Sequence, residues 1–473
     1  MNISNLGKTI LLGAAMTQPL MAKKQVKRTN QRPNIIILFA DDMGIGDIAA
    51  YGSKVNETPN LDRLAKQGTQ FTSFYVAAAS CTPSRASLLT GCYPQRVGLE
   101  SVVDDNANRG LSSSEITIAD LLKQHGYHTG MFGKWHLGHH LEFMPNRHGF
   151  TEFYGIPYSM DMWPHHPKPN HNYPPLPLYE NEKIIEYNPD VNQMTTRFTE
   201  KAVDFIKKNQ EEPFFLYLPY SQPHVPLGVS NKFRGKSKNG MYGDVMMEID
   251  WSVGEIIKTL KKLKLEENTL VMFSSDNGPW LTYGNHAGNA GGLREGKGTV
   301  YGGGHKVPFI VSMPGTIPSG KVNNEMITAM DILPTIMDIT DAHFPRMNPI
   351  DGKNIWPLLT SEEHVATPYD CFFFVNKKEV QAVRRGKWKL HKAHYYRIPG
   401  EVGKDGLPGT QDNMGGYTDI ALYDIKKDPQ ESNNLAANHP QLVKELMKEI
   451  VRFQKDLDLN SRAPGRISSS SQQ

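Results

Sequence analysis

The chain has 473 residues and a formal net charge of +3, with 41 glycines and 32 prolines marking many turns; this is length enough for one large domain, or for a large and a small one. A charge so near balance gives no support to nucleic-acid binding, which concentrates basic residues on one face or arm. Mean hydropathy is negative, and no internal run reaches the roughly 20 apolar residues that cross a bilayer, so no membrane span is expected.

Residues 1–22 read MNISNLGKTILLGAAMTQPLMA, with Lys8 ahead of a short apolar stretch that ends in small residues near Ala22, and a basic KKQVKR follows. That is the pattern of a secretory signal peptide, and it predicts an exported protein, periplasmic or extracellular. Cys81, Cys92 and Cys371 are the only cysteines, too few for a disulfide framework. A thiol in an exported chain therefore invites a chemical explanation.

Beyond the leader, short apolar runs alternate with amphipathic segments. NIIILFA is followed by NLDRLAKQG, ITIADLLKQHG by YHTGMFG, TEKAVDFIKKNQ by PFFLYLPY, and VMMEIDWSVGEIIKTLKKL by TLVMFSSDNG. This alternation predicts an α/β fold over 23–368: a large, mostly parallel sheet flanked by helices. From Tyr369 the pattern changes. CFFFVNKKEVQAVRRGKWKLHKAHYY reads as antiparallel strands and PQLVKELMKEIVRFQKDL as a helix, so 369–460 is expected to form a smaller α+β subdomain. The last stretch, 461–473, is expected to be a disordered tail.

Polar residues after each apolar run are the informative feature. Asp41 and Asp42 follow NIIILFA, Lys134 and His136 follow YHTGMFG, His224 follows PFFLYLPY, and Asp276 and Asn277 follow TLVMFSS. Ligands bind at the carboxyl edge of open α/β sheets, so four clusters distant in sequence are placed to converge there. Asp41, Asp42, Asp276 and Asn277 offer oxygen atoms suited to a hard cation, Ca²⁺ or Mg²⁺. A single DD or DNG would read as turn chemistry; the joint pattern favours ligation.

CTPSRASLLTG places Cys81 just ahead of a helix start, because Pro83 suits a first turn and Ala86–Leu89 continue as helix formers. Helix starts favour anions, and a thiol there is expected to have a lowered pKa and to be reactive. The residues alone leave two readings, a thiolate nucleophile and a buried structural cysteine. Cys92, in GCYPQR, reads as buried and inert.

The segment C-T-P-S-R followed by ASLLTG resembles the signature of type I sulfatases of the alkaline phosphatase superfamily. Other segments of that family occur in order: ADDMGIGD at 40–47, TPNLDRLAKQG at 58–68, GKWHLG at 133–138, GIPYSMD at 155–161, SQPHVP at 221–226, SSDNGP at 274–279, GKGTVYGGG at 296–304 and LYDIKKDPQESNNLA at 422–436. The resemblance implies that a maturation enzyme oxidises Cys81 to formylglycine. It implies that Asp41, Asp42, Asp276 and Asn277 bind the metal together with the modified Cys81. It further implies that Arg85 stabilises the hydrated aldehyde and that Lys134, His136, His224, Lys297 and Ser159 contact the sulfate. One aldehyde hydroxyl then attacks sulfur, His224 assisted by Lys297 protonates the departing alcohol, and His136 deprotonates the second hydroxyl to expel sulfate. Two positions depart from the family pattern: Gly302 stands where a glutamate is usual and Lys306 where an arginine is usual, which puts the local loop geometry in doubt.

Substrate choice is left to the loops. MWPHHPKPNHNYPPLPLYENEKIIE follows Ser159 directly and is rich in His, Pro and Lys. His165, His166, Lys168 and His171, with Arg147, are expected to form a rim for a polyanionic sulfated glycan. A phosphate or phosphonate ester hydrolase of the same superfamily is the alternative reading.

Overall fold

The computed structural model describes residues 32–167, 171–343 and 348–467. The expected signal peptide, Lys168 and residues 468–473 lie outside them. Ten strands form one sheet in the order Lys321–Asn323, Thr69–Phe71, Phe309–Ser312, Thr269–Ser275, Asn34–Ala40, Phe214–Pro219, His128–Lys134, Glu152–Ile156, Pro177–Glu180 and Lys183–Tyr187. The five from Thr269–Ser275 to Glu152–Ile156 are mutually parallel, and antiparallel pairings begin on either side of them.

Alternation along Asn34–Ala40 shows why the sheet is covered on both faces. Ile35, Ile37 and Phe39 point into one core with helices Cys81–Thr90, Ile118–Gln124 and Ile332–Thr340; Ile36, Leu38 and Ala40 point into another with Pro59–Gln67, Met194–Lys208 and Gly240–Lys262. A strand apolar on both faces demands this three-layer arrangement. The α/β fold with a large, mostly parallel sheet is therefore observed.

At the C-terminal end, Phe372–Asn376, Glu379–Arg385, Trp388–His391 and Ala421–Asp424 form an antiparallel sheet, against which helix Pro440–Asn460 packs Leu446, Ile450, Phe453 and Leu457. Tyr75, Tyr93 and Val300 of the preceding part share this core. The tail expectation is corrected for 461–467. Arg462 donates to the carboxylate of buried Glu115 at 2.7 and 2.9 Å, and Gly465–Arg466 pairs antiparallel with Arg109–Gly110. A polar tail sequence thus carries one arginine with a buried acidic partner.

Glu431 links the two parts. Its Oε1 accepts from Gly302 N at 2.6 Å, and its Oε2 lies 2.8 Å from Lys389 Nζ and 2.7 Å from His391 Nε2. Burial raises its pKa, but Lys389 and His391 outweigh burial and hold it at about 2, against an ordinary 4.5. A depressed carboxylate stabilises the fold above its unfolded pKa and loses that contribution as pH falls through the folded one. Glu431→Gln is expected to cost about 3–5 kcal/mol at neutral pH by leaving Lys389 buried and unpaired. In urea unfolding, the gap between variant and wild type is expected to narrow as pH falls from 4.5 towards 2; a gap independent of pH would refute the charge argument.

Candidate active site

The carboxyl edge of the five parallel strands gathers the four expected clusters. Backbone bonds lock the strand ends together: Tyr220 N donates to Phe39 O at 2.9 Å, Asp276 N to Ala40 O at 3.0 Å, and Asp41 N to Gln222 O at 3.1 Å. Asp42 and His136 hold φ of 65° and 62°, a left-handed conformation that costs a non-glycine residue about 1–3 kcal/mol and concentrates at functional sites.

Asp41, Asp42, Asp276 and Asn277 are all buried. Asp42 N donates to Asp276 Oδ1 at 3.1 Å, and Asn277 Nδ2 donates to Asp42 Oδ1 at 2.6 Å. Asp41 Oδ1 and Asn277 Oδ1 are buried without a hydrogen-bond partner. Ligand atoms of Asp41, Asp42 and His224 lie within 4.8 Å of one another. Orphaned oxygens among clustered carboxylates fit a hard divalent cation, since a buried oxygen without a partner is otherwise costly.

Cations face these carboxylates from three directions. Lys134 Nζ donates to Asp41 Oδ2 at 2.6 Å and to Ser159 Oγ at 3.1 Å. Lys297 Nζ lies 2.8 Å from Asp42 Oδ1. Arg85 donates to Asp276 Oδ2 through Nε and Nη2 at 3.1 and 2.8 Å, and to Lys134 O through Nη1 at 3.0 Å. Burial raises the Asp41 pKa, but Lys134, Arg85, His224 and Lys297 outweigh it and hold the carboxyl below the usual range. Asp276 goes the other way: burial first, then the Asp41 charge, push it up to about 7.

Cys81 is the first residue of helix Cys81–Thr90, one place further in than the sequence suggests, and Ser80 occupies the cap position. Thr82 Oγ1 donates to His136 O at 2.8 Å, docking the helix start on the next strand's exit. The expected lowering of the thiol pKa is not found. Burial raises it, and the opposing charges of Lys134 and Lys297 do not overcome burial. A helix start cannot compensate when the thiol is closed off from water.

His136 is buried with both ring nitrogens unpartnered. Burial, then Lys134 and Arg85, hold its pKa well below the ordinary value, so the ring is neutral and offers a basic nitrogen. Nδ1 of His224 sits 2.5 Å from Val225 O, so it carries a proton, while Nε2 faces Asp42 Oδ2 at 3.5 Å.

Sequence reasoning missed Trp280 and Asp161. The Trp280 ring lies 5.5 Å from that of His224 and 4.6 Å from Lys297 Nζ. Burial raises the Asp161 pKa, but the charge of His224, a hydrogen bond from Ser159 and the charges of Lys134 and Lys297 outweigh it and lower it. Asp161 closes the GIPYSMD segment and Trp280 follows SSDNGP, so position within those segments was the available signal.

The expected rim divides. His171 stacks on Tyr173 with ring centroids 5.3 Å apart and lies 4.4 Å from His166; His165 lies 4.8 Å from Trp163. Trp163 and Tyr173 pack against the apolar cluster that holds Tyr158 and Met160, the neighbours of Ser159, which ties this segment to the site. Arg147 does not belong to it. It pairs with Glu182 at 2.9 Å, and the neighbouring Asn181 bonds Phe153, near the amino end of Glu152–Ile156. The chain leaving His140 runs back across the sheet before entering that strand, so Arg147 lies at the opposite edge. Cys92 is buried, and burial pushes its thiol up to about 11. At Gly302 the missing side chain is answered by Glu431, whose Oε1 would lie 3.2 Å from an added Cβ.

Buried carboxylates with orphaned oxygens, buried cations around them and a neutral base suit a hydrolase that acts on ester oxyanions. The comparisons carry this further: the chain belongs to the sulfatase family, and it is an enzyme that hydrolyses sulfate esters. The family described as Sulfatase matches residues 33–342, the C-terminal region of aryl-sulfatase matches 367–470, and the N-sulphoglucosamine sulphohydrolase C-terminal family matches 296–402. Arylsulfatase A of Bos taurus is 36% identical over 449 residues, covering 90% of this chain and 87% of that one. N-acetylgalactosamine-6-sulfatase of Canis lupus familiaris is 37% identical over 381 residues, covering 76% and 72%. A solved structure described under the metabolism of multiple glycosaminoglycans by Bacteroides thetaiotaomicron superposes with a TM-score of 0.75 at 28% identity, covering 90% of this chain and all of that one.

Proposed function

We propose that the enzyme removes sulfate from a sulfated poly- or oligosaccharide outside the cytoplasm, using formylglycine made from Cys81 by a maturation enzyme and a divalent cation, Ca²⁺ or Mg²⁺. Residues 23–368 would form the catalytic domain and 369–460 a subdomain backing its loops. The observation that carries this reading is the pair of orphaned oxygens on Asp41 and Asn277, set beside Cys81 and ringed by Lys134, Lys297, Arg85, His136 and His224. Asp41, Asp42, Asp276 and Asn277 would hold the cation, which would supply Lewis-acid polarisation, and a hydroxyl of the hydrated aldehyde would supply the nucleophile.

The protein's own groups do the rest. Arg85 fixes Asp276 and Asp41, so the acidic cluster keeps its shape. Lys134 and Lys297 present ammonium groups to the oxygens of a bound sulfate, where they offset the charge that grows in the transition state. His224 Nε2, turned towards Asp42 Oδ2, would pass a proton to the departing sugar oxygen, and neutral His136 would accept the proton whose loss releases sulfate. Substrate class rests on the family relatives and on the His-rich segment containing His165, His166 and His171 beside Tyr173.

Co-expression with a maturation enzyme, followed by sulfate release from a panel of sulfated sugars, tests the reading; turnover of phosphate or phosphonate esters without sulfate turnover would replace it. His224→Ala is expected to lower kcat on sugar sulfates by about 10²–10⁴-fold, yet to matter far less on 4-nitrophenyl sulfate, whose leaving group needs no proton. Equal losses on both substrates would remove the general-acid role. Alanine at His165, His166 and His171 together is expected to raise KM on a sulfated polysaccharide with little change on the aryl ester. An unchanged KM would sink the rim.

A further inference from the structure

A second cationic cavity lies between the main sheet and the C-terminal sheet. Its volume is about 390 Å³, and its charged lining comprises Lys306, Arg384, Lys389 and Lys426 against the single carboxylate of Glu431. That carboxylate is already engaged by Lys389 and His391. Arg384, Lys306 and Lys426 have no carboxylate at ion-pair distance among the described residues. Arg384 is 5% exposed; its Nε donates to Gly386 O at 2.8 Å, and its Nη1 is buried with no hydrogen-bond partner. Its guanidinium lies 5.2 Å from the centre of the Tyr75 ring. Tyr75 bridges to Lys306 across an antiparallel backbone contact, which puts both side chains on one side. Burial raises the Tyr75 phenol pKa, but Arg384, Lys306 and Lys389 outweigh it and the opposing Glu431 charge and lower it, as expected where positive charge exceeds counter-charge.

An orphaned donor on a buried guanidinium is expensive, and a planar fork of such donors matches an oxyanion. We propose that this cavity is an anion-binding site for a tetrahedral sulfo group, either free sulfate or a sulfo group borne on a glycan. Ser73, also in the lining, adds a hydroxyl, while the Thr72 hydroxyl is already given to Asn324 Oδ1. The cavity shares no lining residue with the catalytic cluster. Only the Gly302–His305 turn separates them, since Gly302 N bonds Glu431 on the cavity side while Gly304 O accepts from Gly278 N beside Asn277. The anion therefore buttresses the turn behind a metal ligand. The assignment stands whether or not Cys81 acts as proposed.

Crystals of the full chain soaked in sodium selenate test it by anomalous scattering. A selenium peak is expected within hydrogen-bond distance of Arg384 Nη1 in the wild type. It should vanish in Arg384→Gln and in Lys306→Gln/Lys426→Gln, with any catalytic-centre peak retained. The double variant changes partly exposed side chains and covers the case in which the Arg384 variant does not fold. An empty cavity in wild-type crystals whose catalytic centre is filled, or a peak that survives both variants, overturns the proposal. Kinetics separate the two sources. A rise in KM of roughly tenfold on a multiply sulfated oligosaccharide but not on 4-nitrophenyl sulfate assigns the site to glycan; unchanged KM on both, with the peak lost, assigns it to free sulfate.

Discussion

Cys81→Ala is expected to lower sulfate-ester turnover by at least about 10⁴-fold and to leave the fold intact. Alanine is a good first-turn residue, and the thiol makes no hydrogen bond that the helix start depends on. Cys81→Ser is more informative, because serine offers an oxygen nucleophile of similar size. A serine that has taken sulfate carries no second hydroxyl from which His136 can draw a proton, so release requires hydrolysis at sulfur. This variant is expected to stall after one turnover and to gain the mass of a sulfate. In active wild-type protein, the peptide containing residue 81 should show sulfur exchanged for oxygen and two hydrogens lost. The raised thiol pKa supports that chemistry over a thiolate, because a buried thiol held protonated is a poor nucleophile. Active protein with an unmodified thiol would sink the reading.

The parts of the site legible in the sequence are those fixed by periodicity. Once apolar runs and amphipathic segments alternate, a parallel sheet follows, and whatever stands after each run lies at one edge. Asp41, Lys134, His224 and Asp276 are legible in this way from the sequence. Lys297 is given only by resemblance, since it stands at no strand end; Ser159 is too, because the strand Glu152–Ile156 before it is not marked by an apolar run like the others. What could not be read depends on the path of loops. Arg147 and His165 both lie near Ser159 in sequence, yet the chain from His140 recrosses the sheet before Glu152 and carries Arg147 to the far edge. The Cys81 pKa failed for a similar reason: a helix start is a local feature, whereas burial depends on everything packed around it. Glu431 could not be linked to Gly302 from spacing, because it comes from a different part of the chain that folds back onto the turn.

Removal of the divalent cation is expected to reduce kcat by roughly 10³-fold, the several kcal/mol that a Lewis acid supplies at a reacting oxygen. The same ion should also stabilise the fold. Asp41, Asp42 and Asp276 crowd one buried region, and three cationic side chains match their number without satisfying every oxygen: Asp41 Oδ1 and Asn277 Oδ1 remain without any donor. A cation satisfies both oxygens at once, so adding Ca²⁺ to chelator-treated protein at about 100 times its Kd is expected to add about 2.7 kcal/mol of stability. Asn277→Ala removes one orphaned oxygen without changing charge and should lose most of that increment, its metal-free stability falling only by the Nδ2 bonds to Asp42 and Gly278 O. Asp41→Asn should lose the increment too, but at the cost of freeing Lys134, whose ammonium lies 2.6 Å from the lost charge, so its metal-free stability falls as well. The contrast between the two variants separates ligation from ion pairing. Thermal unfolding that ignores Ca²⁺ and Mg²⁺ in the wild type, with turnover unaffected by chelator, would remove the metal from the mechanism and leave the acidic cluster as a scaffold for the lysines alone.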